Sequence, residues 1–177
     1  MIQVHGSEIY HTVAEKVGSN ADLSDLINQL KQTQQQLKHP LLSAKHLNLN
    51  VAVFSVNLSF IKQSESDFAG IFINPEITAT KAPLVSGLED ELSLPRLTVS
   101  IARPKQIEVS FLDEQLKEQK AIFSDLAARW IQHGIEQLNG VSIIDQLNEH
   151  RKRSVKAHLK RLEERKIETN YKLQYDN

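Results

Sequence analysis

The spacing of apolar residues along the chain predicts a helix, a strand, a hairpin and two further helices, in that order. Leu23, Leu26, Ile27, Leu30 and Leu37 recur at helical spacing behind Asp22 or Ser24, either of which can cap the first turn. Gln29, Gln32, Gln34, Gln35 and Gln36 are expected to face water on that helix. His39-Pro40 ends it, because the residue before a proline is pushed out of helical conformation. Residues 51–56 alternate β-branched side chains and read as a strand. Residues 109–112 and 119–123 flank Asp113-Glu114-Gln115 as a hairpin. Ser124 or Asp125 then opens a helix in which Ala127, Ile131, Ile135 and Leu138 make a buried stripe. A last helix is predicted over residues 143–166, with Leu147, Val155, Leu159 and Leu162 as a sparse stripe, and residues 167–177 as a frayed tail. At the other end, residues 2–17 suit either a short helix or an extended arm.

Composition narrows the class. A length of 177 residues, 40% hydrophobic and 24% charged, describes one soluble globular domain, here taken as residues 1–166. A formal net charge of -1 sets no bias toward nucleic acid or membrane. No apolar run approaches the roughly 20 residues that span a bilayer, and no basic-then-apolar signal opens the chain. The expected location is the cytoplasm. There is no cysteine, which excludes disulfides, thiol catalysis and thiolate metal ligation.

The chemistry concentrates on the second helix. His133 and Gln137 are four apart and share a face. The pattern H-G-x-x-Q is the frame of the metallohydrolase H-E-x-x-H with one ligand kept, one turned into an amide and the glutamate base gone. Glycine inside a helix costs about 1 kcal/mol relative to alanine. Gly134 therefore predicts that a neighbour fills the space, with His46 or Glu91 the expected occupant.

The surrounding residues carry a resemblance. Gln132-His133 ahead and Leu138-Asn139-Gly140 behind, then Ile144-Asp145-Gln146-Leu147, resemble the third motif of the peptide deformylase family, Q-H-E-x-D-H-L-x-G. Phe72-Ile73-Asn74-Pro75-Glu76-Ile77 matches that family's I-N-P-E segment and reads as a turn at a strand end. Glu89, Leu92, Ser93 and Pro95 are similar to its second motif, E-G-C-L-S, with Asp90 for the glycine and Glu91 for the cysteine. Leu42 and Ala44 agree with its first motif, G-x-G-L-A-A-x-Q, where His46 stands for the glutamine. The resemblance implies an α+β, peptide-deformylase-like fold: mixed or antiparallel sheets around a central helix, followed by a basic C-terminal helix.

It also implies a site and its losses. The family binds a divalent metal through one Cys and two His, with a Glu base and a Gln at the oxyanion. Those positions hold Glu91, His133, Gln137, Gly134 and His46, so His133 alone survives. The leading expectation is a deformylase-like protein that keeps the fold and a peptide or nascent-chain groove but is inactive on N-formyl-methionine, with no cofactor. His46 is then expected to be a partly exposed loop residue. The alternative is a metal-dependent amide hydrolase, with a weakly held divalent ion on Glu91, His133 and Gln137 and with Glu89 or Glu91 as base. A third reading uses the last helix. Arg151, Lys152, Arg153, Lys156 and Lys160 form the one strongly basic region. Bacterial deformylases dock such a helix on ribosomal RNA, so a ribosome or RNA partner is the expectation here, with salt-sensitive binding.

Overall fold

The computed structural model describes residues 1–62, 64 and 66–176, with Ala82 described by its backbone alone. The chain opens with β1 (Ile2–Gln3) and a 3-10 turn over Glu8–His11. Of the two forms open to residues 2–17, the extended arm prevails, held by a bridge from Glu15 to Val51.

The first predicted helix is α1 (Ser24–Leu37), where Asp22 Oδ1 accepts the Ser24 amide at 3.0 Å. Lys38 adopts a left-handed φ of 51°, and His39-Pro40 lead the chain onward. One expectation fails on this helix. Gln34 is buried rather than outward, because Ser55 Oγ donates to its Oε1 at 2.6 Å and its amide donates to the His39 carbonyl at 3.1 Å. A polar side chain can occupy a buried face when every polar atom finds a partner.

The strands β2 (Leu41–Ser43), β3 (Val53–Asn57), β4 (Ala69–Asp90), β5 (Thr98–Leu112) and β6 (Glu118–Ser124) form one antiparallel sheet in that order. Asn74-Pro75 does not end a strand. It makes a bulge within β4, where the pairing with β5 shifts register and Asn74 takes a φ of 49°. The Asn74 side chain accepts from the Val17 amide and donates to the Val17 carbonyl, both at 2.8 Å, so the bulge clamps the N-terminal arm. Beyond it β4 runs on to Asp90, which brings Glu89 opposite Val99 on the neighbouring strand.

The hairpin between β5 and β6 leads into α2 (Asp125–Leu138) as expected. Ser124 occupies the cap position without capping, since its hydroxyl instead accepts from Gln106 Nε2 at 3.0 Å. Ile131, Ile135 and Leu138 pack into a core with Phe54, Phe72 and Val109. The final helix, α3 (Glu149–Glu163), is shorter than the predicted 143–166. Asn148 Oδ1 accepts the Arg151 amide at 3.0 Å and sets its start. Ile143, Ile144 and Leu147 are buried from the preceding turns, and with Val155 and Leu162 they dock α3 on Leu94, Val99 and Ile101.

The C-terminal segment is not frayed. Its β7 (Leu173–Gln174) pairs in parallel with β1, Gln3 Nε2 donates to Asp176 Oδ1 at 2.5 Å, and the Tyr171 hydroxyl donates to the Leu92 carbonyl at 2.8 Å. The architecture is α+β, with α2 packed on the antiparallel sheet and β1 and β7 forming a separate small parallel pair. Among the described residues no helix is long and apolar enough to cross a membrane.

Candidate functional site

Three chain segments converge beneath α2. The end of β4 supplies Glu89, and Glu91 follows it directly. The inward face of β5 supplies Arg103, and β2 with the 3-10 turn Ala44–Leu47 supplies Ser43 and His46. Successive turns of α2 supply Arg129, His133 and Gln137. Glu89, Glu91, His46, His133 and Gln137, the residues expected at the site, are therefore neighbours, and all are buried.

Glu89 is the charge around which the others gather. Arg103 grips it through two nitrogens, Nε to Oε1 at 2.6 Å and Nη2 to Oε2 at 2.8 Å, while Arg129 Nη1 donates to Oε1 at 2.7 Å. Arg103 spends its remaining Nη1 on Glu136 at 2.7 Å. Burial alone would raise the Glu89 carboxyl. His133 and Arg103 outweigh that and hold it near 2.

His133 stands between two carboxylates. Its Nδ1 lies 3.3 Å from Glu89 Oε2 and its Nε2 3.7 Å from Glu91 Oε2, within ion-pair reach but without hydrogen-bond alignment. Burial pulls its pKa down, and Glu89 and Glu91 together push it up to about 9. Burial would likewise raise Glu91, but His133 and Ser93 hold it near 2. Glu89, Glu91 and Glu136 thus face Arg103, Arg129 and His133, a balanced set of three charges of each sign. The indole of Trp130 stacks on the His133 ring, centroids 5.5 Å apart and planes 18° from parallel, and covers that face.

Gln137 ties the cluster to the first-motif segment. Its Oε1 accepts from Ser43 Oγ at 2.5 Å and its Nε2 donates to Glu91 Oε1 at 3.0 Å, an oxygen that also accepts from Ser93 Oγ. His46 is fully buried, not partly exposed. Its Nδ1 accepts the Ser43 amide at 3.0 Å, and burial lowers its pKa to about 3, so it is a neutral ring. The reason is local: Ser43 opens the 3-10 turn, and the His46 ring folds back to close that cap.

The space beside Gly134 has an occupant that neither His46 nor Glu91 provides. A Cβ on Gly134 would stand 2.9 Å from ring atoms of Phe54. That ring is itself held by Phe72, stacked at 5.0 Å and 18°. Phe54, Arg129 and Ser43 are the members of the site that sequence patterns did not single out. Arg103 had a signal in the chain: Val99, Ile101 and Arg103 fall on alternate, inward positions of β5.

Two surface features border this interior. An open pocket of about 380 Å³ lies between His39, Asp90, Glu91, Leu92 and Tyr171. On α3, Arg151 is bound to the Ser100 carbonyl at 2.6 Å and Lys152 lies 3.7 Å from Glu149, whereas Arg153, Lys156 and Lys160 are exposed.

Comparison with known proteins agrees with this geometry. The family model for polypeptide deformylase matches residues 1–153. A peptide deformylase of Synechocystis is 31% identical over 144 residues, covering 81% of this chain and 76% of that protein. One of Brachyspira hyodysenteriae is 32% identical over 162 residues, covering 90% and 86%. Among solved structures, peptide deformylase from Plasmodium falciparum superposes with a TM-score of 0.84 at 24% identity, covering 97% of this chain and 100% of that one, a likeness of fold. With the second and third motif segments meeting at one buried cluster and the family model spanning most of the sequence, the chain belongs to the polypeptide deformylase family.

Proposed function

We propose that this family member keeps the deformylase fold and does not hydrolyse N-formyl-methionine. The observation that carries the reading is Phe54 against Gly134. No side chain fits at the position of the family's glutamate base unless the Phe54 ring moves, and general acid–base catalysis of that kind contributes about 10²–10⁴-fold. Glu89 does not replace it, because two arginines occupy its oxygens and its carboxyl is held near 2, which leaves it a weak proton acceptor. Glu91 is bound by Gln137 and Ser93 and flanks His133.

The donor set does not suit the family's divalent metal. His133 has a carboxylate at each ring nitrogen, the arrangement of an imidazolium, which has no lone pair to give. Gln137 gives its oxygen to Ser43 and turns its NH₂ toward Glu91, and the thiolate is replaced by a carboxylate. Among the described residues no group of three or more His, Asp or Glu side chains is arranged to hold a metal ion.

The test is deformylation of an N-formyl-methionyl peptide after anaerobic loading with iron, nickel, cobalt or zinc, with metal content measured in parallel. The expected outcome is no turnover above buffer and no stoichiometric metal after desalting. Turnover that disappears in His133→Ala would overturn the proposal and support a remodelled hydrolase on Glu91, His133 and Gln137. Restoring Gly134→Glu, Glu91→Cys and Gln137→His together is expected to fail until Phe54 is also cut to alanine.

On this reading the pocket beside Glu91 is the place for a peptide or nascent chain. A second reading rests on the outward stripe Arg153, Lys156 and Lys160, which leaves α3 free to meet ribosomal or other RNA while its apolar face stays docked. Co-sedimentation with ribosomes that falls as salt rises, and is lost when the three are neutralised, is the expected result.

A further inference from the structure

A second pocket lies on the flank of α3, away from that stripe. Its volume is about 410 Å³, within the roughly 300–1,000 Å³ of small-molecule sites. Arg96, His158, Arg161, Lys166, Ile167 and Glu168 line it. His158 and Arg161 are three apart and so share a face of α3, Lys166 follows the helix end, and Arg96 arrives from the loop between β4 and β5. Two segments distant in sequence, the loop after β4 and the end of α3, thus bring cations to one space.

The charges in this space are largely uncommitted. Among the described residues neither Arg96 nor Arg161 has an ion-pair partner, whereas Lys166 pairs with Glu164 at 2.7 Å. His158 Nε2 donates to the Pro95 carbonyl at 3.0 Å, which orients the ring and joins α3 to the Arg96 loop. Glu168 is the single acid in the lining, against three permanent cations. At the centre of the molecule arginines are consumed by buried glutamates, and here they are not.

We propose that this pocket binds a phosphate group, carried by a small phosphorylated molecule, with the Arg96 and Arg161 guanidiniums as its principal donors. Guanidinium matches phosphate bidentately, and two such forks lining one pocket suit a tetrahedral anion. A concave pocket of this size favours a discrete phosphate ligand over a polynucleotide backbone, for which the outward ridge of Arg153, Lys156 and Lys160 is the better match. The Arg96 loop also lines the pocket beside Glu91, so a ligand held here would border the opening of the deformylase-like site.

Isothermal titration of the intact protein with inorganic phosphate and pyrophosphate at low ionic strength tests this. Saturable one-to-one binding is expected, tighter for pyrophosphate. Arg161→Gln and Arg96→Gln should each weaken it about tenfold or more, and Arg161→Lys less. The triple variant Arg153→Gln, Lys156→Gln and Lys160→Gln should bind pyrophosphate as the parent does. A short single-stranded RNA lacking a terminal phosphate should not compete. Absence of saturable binding, equal loss in the triple variant, or competition by that RNA would each overturn the proposal. Unchanged circular dichroism in the exposed Arg96 and Arg161 variants excludes misfolding as the cause.

Discussion

Charge is handled in opposite ways at the centre of the molecule and along α3. Around α2, Glu89, Glu91, Arg103, Arg129 and His133 are withdrawn from water, and with half-buried Glu136 each lies against an opposite charge. Along α3, Arg153, Lys156, Lys160 and Arg161 project outward, and only Val155, Leu162 and their neighbours are committed to the core. The contrast follows from desolvation. A charge taken out of water must be paired nearly completely to remain charged, whereas a solvated charge needs no partner. The centre is therefore committed to holding itself together, and the helix surface is free to meet a partner.

The largest effect that should break this contrast is Glu89→Gln. It strips two buried guanidiniums and an imidazolium of their shared acid and should cost about 3–5 kcal/mol in urea unfolding. A loss under 1 kcal/mol would mean that the cluster is solvated in solution. Next comes Gly134→Ala. In an open helix this change stabilises by about 1 kcal/mol. Against the Phe54 ring it should instead destabilise by about 1–3 kcal/mol, and Phe54→Leu should relieve much of that. A stabilising Gly134→Ala would show the ring free to move and would weaken the inactive reading.

The pH profile sharpens the same comparison. Glu89 and Glu91, held near 2 against an ordinary 4.5, contribute stability that is whole above about pH 4.5 and disappears as pH falls toward 2. His133, raised from 6.5 to about 9, contributes stability that is whole below pH 6.5 and is lost as pH rises through 9. His46, lowered by burial from 6.5 to about 3, contributes stability that is whole above pH 6.5 and is lost as pH falls toward 3. Thermal unfolding should therefore show a maximum near pH 6.5, with stability falling on both sides. A flat profile from 6.5 to 9 would remove His133 from the charged set. The smallest effect is expected on α3. Neutralising Arg153, Lys156 and Lys160 one at a time should change stability by no more than about 0.5 kcal/mol each, measured by urea unfolding.

How far the site could be read beforehand depended on whether a residue's partner was near in sequence. His133 and Gln137 declare their shared face by spacing alone. Glu89 and Glu91 were found through the motif that surrounds them. Gly134 announced a filled space without naming its occupant, since Phe54 lies on a strand 80 positions earlier and looks like any core residue of β3. Gln34 read as solvent-facing because periodicity counts a glutamine as polar and cannot see Ser55 across the fold. The same blindness applied to the C-terminal segment, which is ordered because its pairing partner is the N-terminal strand.

The sequence by itself determined the order of the three helices, of β3 and of the hairpin before α2, the deformylase resemblance, the absence of thiolate chemistry and the basic character of α3. These are local or compositional properties, and local propensity and residue type are enough to state them. Only the tertiary structure decided that Glu89 is clamped by Arg103 and Arg129, that Phe54 occupies the place of a base, and that Arg96 and Arg161 line one pocket. Each of these depends on which distant side chains share a volume. That follows from the packing of β3, β4 and β5 against α2 and of α3 against the loop after β4, which no window of sequence contains.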